Sequence, residues 1–344
     1  MTVYQESLES ESALLRRAAD RRPIRGRCAP SPTGELHLGN ASTALLAWLS
    51  VRAQEGRFVM RMEDLDRPRV RPGAAGKILG DLAWLGLDWD EGPDLGGSHA
   101  PYEQSLRGDI YEEAFSKLVE SDRVYPCFCS RRDIAVAASA PQSPGDEVQY
   151  PGTCRHLRRE EAADRIGQGH RHAWRFRVEG HQRPVFVDRV LGLWGADQPP
   201  PGDFVVRRSD GVASYQLAVV VDDDAMSISE VVRGDDLLAS TGRQLMLFEA
   251  LGCSPPCFAH VPLFLGMDGK RLSKRHEGGT IRELRDCGLS PEEIVGRLTQ
   301  LLGIRHGHDP VRAVDLIDEF YLGELVSAPE GIRVDTSDWG PAPS

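Results

Sequence analysis

The stretch from Ala29 to Leu49, APSPTGELHLGNASTALLAWL, decides how the chain is read. It starts as a stiff turn, because Pro30 and Pro32 fix their φ angles. It ends as an apolar helix in which Ala44, Leu45, Trp48 and Leu49 recur at near-helical spacing until Gly56. Gly34, His37 and Gly39 sit at the junction. A glycine loop opening a helix points free N–H groups outward, which favours phosphate. Yet the stretch holds neither G-x-G-x-x-G nor G-x-x-x-x-G-K-[ST].

Working outward, Ile24 to Ala29 reads as a strand before the loop, and the run RFVMRME, residues 57–63, reads as a strand after the helix. Strand, loop, helix, strand is a βαβ unit and argues for an α/β fold with a Rossmann-type parallel sheet. A second helix is expected over about 73–86. Residues 103–200 differ: they hold a cysteine cluster, a Ser/Ala/Pro linker and the breaker GADQPPPGD. They read as an inserted subdomain. From Asp203 the strand signal returns. DFVVRR and VASYQLAVVVDD read as a hairpin around Asp210-Gly211, ISEVVRG as a strand, and LLASTGRQLMLFEALG as a helix ended by Gly252. The expected divisions are a 1–23 extension, a 24–102 first catalytic half, the 103–200 insert, a 201–303 second half and a 304–344 tail. Ligands of open α/β sheets sit off the carboxyl ends of strands. That rule groups Arg27, Ser31, His37, Glu63 and Arg233 around one crevice.

The formal net charge of −11 argues against nucleic-acid binding through overall charge but leaves room for a local basic groove, for which Arg107, Arg155, Arg158 and Arg159 are candidates. No apolar run approaches the roughly 20 residues of a membrane span. The first residues lack the apolar core of a secretory signal, so a cytoplasmic protein is expected. The seven cysteines are an odd number without an export signal, which argues against a disulfide framework. Cys127, Cys129 and Cys154 are spaced like thiolate ligands of a structural Zn²⁺, with His156 the chemically easy fourth ligand. The basic residues are nearly all arginine; two of the few lysines fall in GMDGKRLSKRHEGG. A Gly-flanked loop carrying Arg271, Ser273 and Lys274 suits a lid over a polyphosphate.

The segments PSPTGELHLGN and RLSKR, in this order, resemble the two signatures of class I aminoacyl-tRNA synthetases. With RMEDLD, SYQLAVVVDD and VVRGDDLL they resemble the glutamyl branch over about 24–303. Only about 69 residues follow Arg275, too few for the helical anticodon-binding region of a full-length member. The expectation is therefore a chain without that domain, similar to the truncated glutamyl-queuosine tRNA(Asp) synthetase family. That resemblance implies ATP-dependent, tRNA-independent activation of L-glutamate and its transfer onto the queuosine of tRNA(Asp). It implies a pocket of Arg27, Ser31, Glu63, Tyr215 and Arg233 for glutamate. His37, Gly39, Asn40, Arg271, Ser273 and Lys274 would hold ATP, with His37, Gly39 and Lys274 catalytic and Mg²⁺ on the phosphates. It also implies one structural Zn²⁺ on Cys127, Cys129, Tyr150 and Cys154. The expected oligomeric state is a monomer. Asn40 and Arg271 depart from the commonest form of the signatures. Three alternatives stay open at this point: transfer to another acceptor, a non-catalytic tRNA-binding paralogue, and a plain salt bridge between Glu63 and Arg233.

Overall fold

The computed structural model of the protein describes residues 23–130, 132–134, 150–180, 183–272, 279–325, 328 and 330–339. The opening unit is β1 (Arg25–Cys28), α1 (Leu38–Arg52) and β2 (Arg57–Met60). β1 and β2 run parallel, paired from Arg25 with Arg57 to Cys28 with Met60. Gly26 lets α1 lie close on the sheet: a Cβ there would stand 2.3 Å from Val51 Cγ2. α1 is buried on most sides, which is why its apolar residues form a continuous run rather than a stripe. α2 (Ala74–Trp84) follows as expected.

The main sheet has six strands in the order β2-β1-β8-β9-β5-β6, with β8 at Glu230–Gly234, β9 at Cys257–Val261, β5 at Phe186–Asp188 and β6 at Gly192–Trp194. All neighbours are parallel except β5 and β6. A second, antiparallel sheet of β3 (Val124–Cys127), β4 (Ala173–Phe176) and β7 (Phe204–Arg207) lies between them in sequence. The partition differs from the one expected at residue 200. β5 and β6, inside the expected insert, belong to the main sheet, and β7, beyond it, belongs to the smaller sheet. Strands of three or four residues carry too little alternation to be assigned to a sheet from sequence.

The hairpin expected around Asp210-Gly211 is half right. β7 ends in a turn, where the Arg208 N–H donates to Val212 O at 2.8 Å. The following segment is helix α5 (Tyr215–Ala225), not a strand. Ser214 caps it by accepting from the Leu217 N–H. Its β-branched run is held helical by packing: Leu217, Val220 and Val221 share a buried cluster with Leu247 and Phe248 of α6 (Leu238–Leu251) and with Phe258 of β9. That cluster, with Tyr111, Phe115 and Leu118 of α3 (Gly108–Glu120), covers one face of the sheet. α1, α2 and α8 (Pro291–Leu301) cover the other. The segment expected to be a loose tail joins that second cluster through Leu316, Phe320, Val334 and Trp339. Its strand β11 (Ile332–Arg333) pairs with β10 (Phe264–Leu265). Among the described residues no helix is long and apolar enough to cross a membrane.

The chain leaves β1 through α1 to β2 on one side, and leaves β8 through α6 to β9 on the other. The carboxyl ends of β1 and β8 therefore border the crevice where the winding reverses.

Candidate active site

Arg27 and Arg233 are the penultimate residues of adjacent strands β1 and β8, and both are buried. Arg27 Nη1 donates to Val232 O at 3.3 Å, and its Nε lies 3.7 Å from Asp223 Oδ1. Arg233 Nε donates to His260 Nε2 at 3.1 Å, and its Nη2 donates to Thr241 Oγ1 at 2.7 Å. Its Nη1 is buried and has no hydrogen-bond partner among the described residues. Glu63 follows β2; its N–H donates to Pro30 O at 3.0 Å, which ties the exit of β2 to the first loop. Its carboxylate takes Arg61, at 3.1 Å, and not Arg233. Burial pushes the Glu63 carboxyl above its usual range, against the opposing pull of Arg61 and Arg27.

Tyr215 opens α5. Its phenol is pushed up by burial first, then by the charge of Glu63, while Arg233 and Arg27 act the other way. Four of the five residues expected to meet glutamate thus act on one another electrostatically. The fifth, Ser31, is exposed and lines the same cavity as Glu63 and Tyr215, a cleft of about 1010 Å³. The cleft continues to Cys127 and Cys129, past Arg171, Arg175 and Arg208. One guanidinium beneath the site was not picked out from sequence. Arg61 has no exposed surface and faces Asp223 at 2.7 Å, Glu63 at 3.1 Å and Asp222 at 3.8 Å. The signal was present in an arginine two residues before Glu63 and in the acidic run that closes SYQLAVVVDD.

His37 is the N-cap of α1, with extended backbone. It forms an antiparallel bridge with Thr280, and the Leu38 N–H donates to Gly279 O at 2.9 Å. The first signature is thereby joined to the chain just beyond the second. A Cβ on Gly39 would meet only Phe264 Cβ, at 3.6 Å, so the surrounding protein does not itself demand glycine there. Asn40 is exposed in the first turn. Arg271 pairs through its backbone with Leu265 and through its guanidinium with Asp236. Ser273 and Lys274 lie outside the described residues.

The Sγ atoms of Cys127, Cys129 and Cys154 all lie within 4.8 Å of one another. Cys129 and Cys154 are 3.6 Å apart, and Tyr150 Oη stands 3.4 Å from Cys127 Sγ and 3.9 Å from Cys129 Sγ. A tetrahedral ion with metal–sulfur bonds of about 2.3 Å spaces its ligand atoms about 3.8 Å apart, so these four atoms can hold one. Tyr150 Oη also accepts the Cys154 N–H at 2.7 Å, which favours a phenolate, but burial and Cys127 push the phenol well up, so its ionisation needs the charge of a metal. His156 is exposed.

Of the arginines considered for a basic groove, Arg107 is a correction. It is buried, with Nε 2.6 Å from Asp222 Oδ1 and Nη1 on Pro101 O at 2.8 Å. It cannot reach a phosphate. Arg155 is paired with Asp203, whereas Arg158 and Arg159 are exposed at the start of α4 (Arg159–Gly167).

The family described as tRNA synthetases class I (E and Q), catalytic domain, matches residues 23–333. A protein of Symbiobacterium thermophilum named glutamyl-Q tRNA(Asp) synthetase is 49% identical over 312 residues, spanning 90% of this chain and 96% of its own length. A protein of the same name from Nitratidesulfovibrio vulgaris is 49% identical over 324 residues, 92% of this chain and 97% of its own. Among solved structures, the glutamate-tRNA synthetase of Elizabethkingia anophelis matches with a TM-score of 0.78 and 29% identity, over 92% of this chain and 69% of that one.

Proposed function

The chain belongs to the class I tRNA synthetases (E and Q), and we propose that within them it activates L-glutamate with ATP and transfers it to the queuosine of tRNA(Asp). The observation that carries the substrate is the charge set at the ends of β1, β2 and β8. Glutamate has two carboxylates and one ammonium; Arg27, Arg233 and Glu63 offer the complementary set beside Tyr215. Arg27 takes the side-chain carboxylate through its guanidinium fork and Glu63 takes the ammonium. Arg233, Tyr215 and Ser31 complete the pocket.

ATP lies against the start of α1, where His37, Gly39 and Asn40 meet the phosphates at the positive end of the helix. Gly39 keeps room for this approach. Lys274 and Ser273 neutralise and bind the outgoing pyrophosphate, and Arg271 joins them only by leaving Asp236. Mg²⁺ bound with ATP would supply further positive charge there. The α-carboxylate of glutamate attacks the α-phosphate and pyrophosphate leaves. The work is positioning and charge stabilisation, with no covalent enzyme intermediate. A hydroxyl of the queuosine ring then attacks the carbonyl carbon of the mixed anhydride; the acyl–phosphate bond breaks, AMP leaves, and the hydroxyl proton passes to the departing phosphate. The acceptor enters by the long cleft between the pocket and the cysteine site. Cys127, Cys129, Cys154 and Tyr150 would hold a structural Zn²⁺, which would keep that end of the cleft in shape. The protein acts as a monomer.

The test is ATP–pyrophosphate exchange by the purified chain without tRNA. Exchange with glutamate, and none with glutamine or aspartate, is the expected result. Absence of exchange in folded, metal-replete protein overturns the reading at its first step. Labelled glutamate should then reach tRNA(Asp) that carries queuosine and not its unmodified form.

A further inference from the structure

We propose that Asp188, His260 and Thr241 are positioning residues that lock the Arg233 guanidinium in one orientation for a carboxylate of the substrate. The proposal rests on the reading of Arg233 as a glutamate-binding residue. The chemistry is in the direction of each hydrogen bond. Arg233 Nε–H can only donate, so His260 Nε2, 3.1 Å away, must accept. The imidazole proton is therefore on Nδ1, which lies 2.6 Å from Asp188 Oδ2. Asp188 is itself fixed at the end of β5 by the N–H groups of Val190, Leu191 and His260, each at 3.0 Å. Thr241 Oγ1 accepts from Arg233 Nη2 at 2.7 Å and lies 3.0 Å from His260 Nε2.

Asp188, His260, Thr241 and Arg233 are all buried, so water does not substitute for a lost partner. Two nitrogens of Arg233 are committed and Nη1 is left over, buried and without a hydrogen-bond partner among the described residues. An unmet donor at this depth is costly unless an acceptor arrives. The arrangement thus presents the Nη1 end of a fixed fork to a carboxylate. It also keeps the imidazole neutral: burial and the Arg233 charge hold its basicity down, against the pull of Asp188.

The experiment measures KM for glutamate and for ATP separately in pyrophosphate exchange by the full chain. His260→Leu and Thr241→Val should each raise KM for glutamate by about tenfold or more and leave KM for ATP unchanged, the loss expected for a charge-assisted hydrogen bond. His260→Gln, which keeps an acceptor near the Nε2 position, should stay within about threefold of the parent. Wild-type glutamate KM in His260→Leu and Thr241→Val, or equal impairment of the Gln and Leu variants, overturns the proposal. A ¹⁵N spectrum of the His260 ring gives a readout that needs no activity. The Nδ1–H tautomer is expected, and the Nε2–H tautomer overturns the lock in any sample. Nδ1–H in a chain without exchange instead removes the glutamate reading.

Discussion

Asp223 Oδ1 lies 2.7 Å from Arg61 Nη1 and 3.7 Å from Arg27 Nε, so one buried carboxylate serves two guanidinium groups. One of them, Arg61, pairs with Glu63, and the other, Arg27, is the residue proposed to take the side-chain carboxylate of glutamate. The pocket's charges are thus set by a helix, α5, that carries only one of the proposed ligands.

Asp223→Asn should lower unfolding free energy by about 3 kcal/mol, because it leaves a water-free arginine short of charge. It should also raise KM for glutamate through Arg27. Urea unfolding gives the first number and exchange kinetics the second. A loss of under about 1 kcal/mol would mean that Asp222 and Glu63 suffice to hold Arg61.

Glu63 gives a two-sided test. Burial raises its carboxyl above the ordinary value of 4.5, so it loses its charge earlier on acidification than a free glutamate does. KM for glutamate should therefore climb as pH falls, starting above 4.5. For stability the sign is opposite. A raised folded pKa contributes fully below the unfolded value and its contribution is lost as pH rises through the folded value. Glu63→Gln should thus be inactive in exchange yet at least as stable as the parent at neutral pH. A variant both folded less stably and still active would contradict both halves.

About one equivalent of zinc should survive purification and fall in Cys127→Ser. Tyr150→Phe should retain less metal under chelator challenge than the parent, and His156→Ala should match the parent. Elemental analysis reads each case. Equal retention by the parent and the Tyr150 variant, with loss in the His156 variant, would exchange the fourth ligand.

Arginines of the cleft and arginines of the core should separate by salt dependence. Arg171→Ala should reduce the slope of log affinity for tRNA against log salt by about 1, the value for a lost phosphate contact. Arg107→Ala should leave the slope unchanged and cost about 3 kcal/mol of stability, since it removes the closest cation from buried Asp222 and leaves Arg61, Gln104 and Tyr111 to hold it. A changed slope for Arg107→Ala would require that the region around Asp222 opens on binding.

The parts legible in sequence were those fixed by local chemistry. The βαβ opening, the strand ends at Arg27, Glu63 and Arg233, and the three clustered cysteines all announce themselves by spacing. What escaped reading depends on partners far along the chain. Val219 to Val221 look like a strand until Ser214 caps them and the sheet buries them. β5 and β6 carry too few residues to reveal which sheet they join. Arg107 looks like a surface cation because nothing nearby in sequence names Asp222 as its partner, and His260 gains meaning only beside Arg233.

The bridge between His37 and Thr280 changes how sequence variants should be sorted. Thr280 also caps α7 (Ile281–Asp286): its hydroxyl accepts the Glu283 N–H, and the Glu283 carboxylate accepts the Thr280 N–H, both at 3.2 Å. One residue therefore starts a helix and sets the backbone that carries His37. A clinician of alleles would file position 280 under helix stability and expect a mild, temperature-sensitive phenotype. The shared backbone joins it to position 37 as well: a change that loosens the cap at 280 also loosens the strand bridge behind His37.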